Sequence, residues 1–288
     1  MKTIALIDAN GIGAKSAFAL QDLAMNEVPT GVVYGFLREI LTIGIALRTN
    51  RLMFCWDSRR SLRRDLFPGY KEKRTDKRTK WEKEVWKVAY DQYDILREKV
   101  LPSIGWRNQF HFDGYEADDI MHQAAKQLHQ EGHDPVIVSS DEDMYQSLVW
   151  ADIYNPTKKS FFLPEDFEKK YGITPDKWHL VKAIGGCTSD TVPGVENVGE
   201  KTAIAYLKGE LKRTTKKFQS IKQAESNGTL ELYKRLVTLP FEGFPALKFQ
   251  GDVFDVDNFV ANCEGYELHS LLSRKSYARW EDFLYGVF

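Results

Sequence analysis

Apolar and polar positions along the chain follow two periods. Short apolar runs at residues 3–7, 51–56 and 135–138 each read as a buried strand, the first two stopping at Asp8 and Asp57 and the third running through Ser139 and Ser140 to Asp141. Residues 14–23, 33–47 and 117–130 carry apolar positions at helical spacing. Strands alternating with helices predict an α/β fold with a mainly parallel sheet covered on both faces, whose carboxyl edge binds ligands. Further on, Phe67-Pro68-Gly69-Tyr70 marks a turn, residues 77–100 read as a helix, and a short helix ends at Gly172. Thr174-Pro175-Asp176 opens a series of short helices, which places a domain boundary near Ile173.

Charge changes this picture locally rather than globally. Forty Lys plus Arg against forty-one Asp plus Glu leave a net charge of −1, so the chain is no polycation. Residues 59–87, however, hold twelve Lys or Arg and five Asp or Glu, interleaved with Phe67, Tyr70, Trp81 and Trp86. A net positive, aromatic-bearing segment in a neutral protein points to a polyanion. Three distant cysteines without a CxxC argue against a disulfide framework. No apolar stretch is long enough for a membrane span, and the N-terminus lacks a signal-peptide core, so a soluble cytoplasmic protein is expected.

The acids suggest the chemistry. Glu116, Asp118 and Asp119 open the helix predicted from residue 117, and Asp141 and Asp143 follow the third strand. With Asp8, Asp57 and Asp190 they make eight acids in five chain regions, which can share a volume only if cations neutralise them. Hard oxygen donors without HxxxH or HExxH spacing favour Mg²⁺ or Mn²⁺ over Zn²⁺. An acidic metal nest beside a basic segment fits phosphodiester hydrolysis.

A second motif follows. Residues 185–203 run GGCTSDTVPGVENVGEKTA, the spacing of a helix, a glycine-bounded turn and a second helix. Gly194 and Gly199 let a phosphate approach backbone N–H groups at the second helix, and Lys201 adds charge; a plain helical hairpin is the competing reading.

These blocks, LIDANG, FCWD, FPGYKEKR, GYEADD, SSDEDMYQ and SDTVPGVENVGEKTA, occur in an order that resembles the 5'-to-3' exonuclease and flap endonuclease family, including standalone bacteriophage enzymes and the 5'-nuclease domain of bacterial DNA polymerase I. The resemblance implies a PIN-like nuclease domain at residues 1–173, with a basic helical arch at about 59–104. It also implies a helical DNA-binding domain at 174–288, with a helix-hairpin-helix element at about 185–207. It assigns Asp8, Asp57, Glu116 and Asp118 to the inner metal site, adds Asp119 to that acidic block, and makes Asp141, Asp143 and Asp190 supports of a second site. Lys71 and Arg74 would hold the scissile phosphate, and Tyr70 would either stack on a terminal base or pack. Gly194, Gly199 and Lys201 would grip duplex DNA, with K⁺ as a further ion there.

The implied activity is Mg²⁺-dependent hydrolysis, with Mn²⁺ able to substitute, near junctions of a 5' single strand with duplex, for primer or flap removal in replication or repair. Branched or 5'-tailed duplex DNA is the expected partner, with RNA/DNA primer hybrids as a further class, in the host cytoplasm if the chain is phage-encoded. Cys187 departs from the family pattern, standing where an acid is expected. Either the second ion binds weakly through Asp141, Asp143 and Asp190, or another acid compensates. The competing functions are a nonhydrolytic branched-DNA-binding protein with a degraded second site and a PIN-type ribonuclease.

Overall fold

The computed structural model describes residues 3–25, 27–73 and 78–288. The strands are β1 (Thr3–Asp8), β2 (Ala24–Met25), β3 (Val28–Pro29), β4 (Leu52–Trp56), β5 (Gln109–His111), β6 (Asp134–Val138), β7 (Asp152–Asn155) and β8 (Ser160–Phe162). β2 and β3 form a small hairpin, and the other six make one sheet in the order β5-β4-β1-β6-β7-β8. Every pair in that sheet is parallel except β7–β8. The three strands read from sequence are its centre, while β5, β7 and β8, three or four residues long, carry too little pattern to announce themselves.

Alternation along the central strands sorts their side chains onto two faces, which explains why they look apolar throughout. Ala5, Ile7, Leu52, Phe54, Trp56, Val136 and Val138 enter one core; Ile4, Leu6, Met53, Cys55 and Ile137 enter the other. Helices Ala9–Ala19, Gly31–Leu47 and Lys80–Ile95 cover the first face, and helix Ala117–Gln130 covers the second together with residues drawn from 167–247.

Packing does not divide at residue 173. Helices Val256–Gly265 and Arg274–Leu284 return to the first face, where Phe259, Cys263, Trp280 and Phe283 join the core of the N-terminal helices. The helices between residues 178 and 237 share the second core with the sheet itself. The reason is area: a sheet apolar on both sides needs two covers, and the N-terminal helices supply too few for either.

Local chemistry sets the helix ends. The first helix begins at Ala9 rather than residue 14 because Asp8 caps it, accepting a hydrogen bond from the Gly11 N–H at 2.8 Å. The helix read over residues 77–100 starts at Lys80 behind a Thr79–Glu82 capping box and passes at Leu96–Val100 into one π-type turn. Gln92 on that helix caps a neighbour: its Oε1 accepts from the N–H groups of Val32 (2.8 Å) and Val33 (3.2 Å), at the start of helix Gly31–Leu47. Most of the aromatics in the basic segment pack. Trp86 meets Phe18 edge-on at 5.6 Å, and Phe67 and Tyr70 join a small core with Cys187, Val192 and Leu236. Trp81 stays 54% exposed. Among the described residues, no helix is long and apolar enough to cross a membrane.

The C-terminal helices can be tested as core elements. At Gly44 an added Cβ would lie 2.1 Å from a ring carbon of Phe283 and 3.0 Å from the Thr49 carbonyl. Gly44→Ala should therefore lower stability by about 1–3 kcal/mol, read as a drop in the urea midpoint at constant slope. An unchanged midpoint would mean that helix Arg274–Leu284 is not seated on Gly31–Leu47.

Candidate metal centre

Parallel pairing places the strand-ending acids at one edge. Asp8 is in register with Cys55 and Ile7 with Val138, so Asp57 and Asp141, a few residues beyond, emerge beside Asp8. Each is held by backbone. Asp8 binds the Gly11 N–H, and only glycine fits there because a Cβ would lie 2.3 Å from Asp8 Oδ2. Asp57 Oδ1 accepts from the Ala117 N–H at 2.8 Å, while its own N–H donates to Asn10 Oδ1 at 2.9 Å. Asp141 Oδ1 accepts from the Asp143 N–H at 2.8 Å. Asp118 comes from the first turn of helix Ala117–Gln130, so the helix that caps Asp57 also delivers the fourth carboxylate.

These four acids feel one another. Burial, with Asp57 and then Asp141 adding repulsion, pushes Asp8 up to about 7. Burial and the charges of Asp141 and Asp8 push Asp118 well above the usual carboxylate range. Four crowded oxygen-donor side chains, with negative charge disfavoured on Asp8 and Asp118, are the donor set a hard divalent cation requires, and Asp8, Asp57, Asp118 and Asp141 fit one.

Glu116 is placed differently. Burial would raise it, but Lys71 and Arg63 outweigh that and hold it down at about 2. Lys71 Nζ lies 2.9 Å from Glu116 Oε2 and 3.7 Å from Asp190 Oδ1. Its backbone is in the left-handed region, φ 54°, and its N–H donates to the Asp190 carbonyl at 2.9 Å, which fixes the side chain toward the acids. Tyr70 does not stack on a base: only 1% exposed, it donates its hydroxyl to Glu116 (3.0 Å) or Asp190 (3.1 Å), and its ring is packed with Cys187 and Val192. Arg74 lies outside the described residues.

Asp119 is engaged elsewhere than in that group of four. Fully buried, it takes both arms of the Arg63 guanidinium at 2.7 Å, and accepts the N–H groups of Phe241 (2.7 Å) and Glu116 (3.0 Å). Arg63, itself 2% exposed, also donates to the carbonyls of Leu236 and Thr238 and lies over the Phe241 ring at 5.0 Å. The pair locks helix Leu62–Leu66 and the 236–241 segment to the start of helix Ala117–Gln130.

The other acids form a second group. Donor atoms of Asp143, Cys187 and Asp190 lie within 4.8 Å of one another. Cys187 and Val192 exchange backbone hydrogen bonds at 2.9 and 3.0 Å, closing a hairpin that carries Asp190. Burial, with Asp143 and Asp190 alongside, pushes the Cys187 thiol up to about 12, so it is protonated and donates to Asp143 Oδ2 at 3.3 Å. Lys182, on helix Trp178–Gly185, places Nζ 2.7 Å from Asp143 Oδ1. A protonated sulfur and a carboxylate already paired with an ammonium do not fit a hard divalent cation.

Beyond this group the chain turns tightly. Gly194 has φ 71°, and a Cβ there would meet the Gly186 nitrogen at 2.3 Å. Gly199 caps helix Glu200–Leu207 without a side-chain bond, and Glu200 and Lys201 at its start are exposed. Reading the sequence alone misses Asn10, Arg63 and Lys182. Arg63 is one of four arginines between residues 59 and 64 with nothing to distinguish it, and Lys182 is marked only by its place one turn before the Gly185-Gly186 break.

Arg63→Met should strand Asp119 as a buried unpaired charge and cost about 3–5 kcal/mol, whereas adding Asp119→Leu should recover most of the loss. Urea unfolding of the single and double variants decides this; equal losses would deny the pair its role.

Comparison with known proteins agrees with this geometry. Residues 3–172 match the family described as 5'-3' exonuclease, N-terminal resolvase-like domain. A 5'-3' exonuclease of Buchnera aphidicola subsp. Schizaphis graminum is 32% identical over 244 residues, covering 83% of this chain and 77% of that protein. One from Aquifex aeolicus is 31% identical over 248 residues, covering 83% and 82%. The solved T5 5'-exonuclease with bound zinc superposes with a TM-score of 0.68 over 100% of both chains, at 18% identity, which speaks for the fold. With the matched segment spanning more than half of its length, and with these relatives, the chain belongs to the 5'-to-3' exonuclease and flap endonuclease family.

Proposed function

We propose that the protein is a divalent-metal-dependent 5'-to-3' exonuclease and flap endonuclease that cuts phosphodiester bonds near the junction of a 5' single strand with duplex DNA. The observation that carries this reading is the convergence of Asp8, Asp57, Asp118 and Asp141 at one sheet edge, with Lys71 beside them. Mg²⁺ is the natural ion by donor chemistry, with Mn²⁺ as a substitute. Asp8, Asp57, Asp118 and Asp141 would hold the divalent cation, which would supply charge neutralisation at the phosphate and activation of a water.

The chain's own groups do the rest. Lys71, fixed by its backbone bond to Asp190, turns from Glu116 toward a non-bridging phosphate oxygen and stabilises charge as it develops. Tyr70 and Arg63 keep Glu116 in place while Lys71 is engaged. Arg74 would join Lys71 at the base of an arch formed from residues 59–104. Departure of the 3' oxygen leaves a 5' phosphate. Residues 185–207 act as a helix-hairpin-helix grip, with backbone N–H groups after Gly199, and Lys201, facing duplex phosphates; the exposed helix start without a side-chain cap supports this, and K⁺ would suit the same turn. Primer or flap removal is the physiological role, with RNA/DNA hybrids among the substrates. The crowded acids favour hydrolysis over nonhydrolytic binding, because a protein that only bound DNA would gain nothing from such repulsion.

Lys71→Ala should slow single-turnover cleavage of a 5'-flap substrate by about 10² or more while binding changes less. An unchanged rate would remove Lys71 from the chemistry. A second expectation concerns pH. The Asp8 value, raised from 3.8 to about 7, means that its stabilising contribution is full below about pH 4 and is lost as pH rises through about 7, on the order of 4 kcal/mol. The metal-free protein should therefore melt at lower temperature at pH 8 than at pH 5, and Mg²⁺ should raise the midpoint at pH 8 much more than at pH 5. Thermal unfolding in EDTA and in Mg²⁺ at both pH values tests this; no stabilisation by Mg²⁺ at pH 8 would sink the metal assignment.

A further inference from the structure

Two groups of candidate ligands sit side by side, and their electrostatic situations differ. Around Asp8 and Asp118, carboxylates repel one another, and Lys71 offsets that only in part. Around Asp143 the chain places a cation in contact. The Lys182 ammonium is 2.7 Å from Asp143 Oδ1, an ion pair at contact distance without a directed hydrogen bond at that oxygen. The Cys187 thiol donates to Oδ2 of the same carboxylate at 3.3 Å, with the Ser189 hydroxyl 3.1 Å from the sulfur. Both oxygens of Asp143 thus face protein groups carrying positive charge or a proton.

Lys182 is not a surface lysine that happens to reach in. Its side chain is 16% exposed, and its ammonium lies 5.3 Å from the centroid of the fully buried Trp178 ring, on the same helix. Asp190, the remaining oxygen donor, is contacted by the Tyr70 hydroxyl at 3.1 Å and the Lys71 ammonium at 3.7 Å. A hard divalent ion between Asp143 and Asp190 would have to displace two ammonium groups and accept sulfur as its third ligand. Like charges at that spacing oppose it, and so does ligand hardness.

We propose that this chain uses a single divalent cation, at Asp8, Asp57, Asp118 and Asp141, and that Lys182 supplies the positive charge at Asp143 where Cys187 has removed a ligand for a second ion. The inference rests on the nuclease reading and deepens it. Lys182 acts as a positioning residue: it holds Asp143, whose backbone N–H in turn orients Asp141 in the first group.

The test counts ions rather than turnover. Calorimetric titration of the intact, metal-stripped protein with Mn²⁺ should give one ion per chain, unchanged in Cys187→Ser. The double variant Cys187→Asp/Lys182→Met, which restores an oxygen ligand and removes the ammonium, should bind two, with its fold checked by circular dichroism. Two ions on the native protein, the weaker one lost in Cys187→Ser, would overturn the proposal. One ion on both the native protein and the folded double variant would also overturn it, by removing Lys182 and Cys187 as the reason. Cleavage of a 5'-flap duplex by the same native sample separates the two readings. No cleavage with any divalent ion strikes the nuclease assignment, whereas cleavage with two bound ions strikes only the single-ion proposal.

Discussion

Mutual repulsion of carboxylates at the carboxyl edge of the sheet is the constraint around which this molecule is arranged. Parallel strands deliver Asp8, Asp57 and Asp141 to one edge, and a helix start adds Asp118, in a place where burial already disfavours ionisation of Asp8 and Asp118. A fold can tolerate that only by recruiting positive charge, either from its own side chains or from solution. The disposition of the basic residues around the edge follows from this requirement.

Two cations from the basic segment, Arg63 and Lys71, and one from helix Trp178–Gly185, Lys182, meet the acids, and each has a different duty. Arg63 is spent structurally: buried against Asp119 and two carbonyls, it joins the start of helix Ala117–Gln130 to the 236–241 segment. Lys71 sits at the rim with Glu116 and Asp190, half-buried and able to exchange a carboxylate for a phosphate. Lys182 faces Asp143 from the opposite flank. Asp8, Asp57, Asp118 and Asp141, which repel one another across this edge with Lys71 only partly offsetting the repulsion, form the oxygen-donor set that fits a hard cation.

The same logic ties the fold to the site. Asn10 and Asp8 belong to the strand-to-helix turn that begins helix Ala9–Ala19, and the Tyr93 hydroxyl on helix Lys80–Ile95 holds the Asn10 carbonyl at 3.2 Å. Gln92, one residue earlier, caps helix Gly31–Leu47. The helix that continues the basic segment is thereby fastened to the edge that carries the acids. Beneath them, the two cores and the returning C-terminal helices keep the sheet from shifting, which matters because a carboxylate cluster relaxes readily if its backbone can move.

Much of this was legible in the chain. Short apolar runs ending in Asp revealed the central strands and their common edge, since a parallel sheet puts equivalent strand ends together whatever covers it. The order of the acidic, basic and glycine-bounded blocks carried the family. What the sequence could not decide was the division of labour among residues of the same type. Asp118 and Asp119 are adjacent, yet a rotation of about 100° around the helix sends one to Asp8 and Asp141 and the other to Arg63. Tyr70 sits in a basic, turn-rich segment that looks exposed, yet it is buried because a hairpin more than a hundred residues later closes over it. The C-terminal helices show no chemistry in their residues, and only the need to cover a sheet apolar on both faces draws them back to the N-terminal core. Local pattern fixes what each residue can do; which partner it meets depends on contacts distant in sequence, and those are set by the packing of the whole.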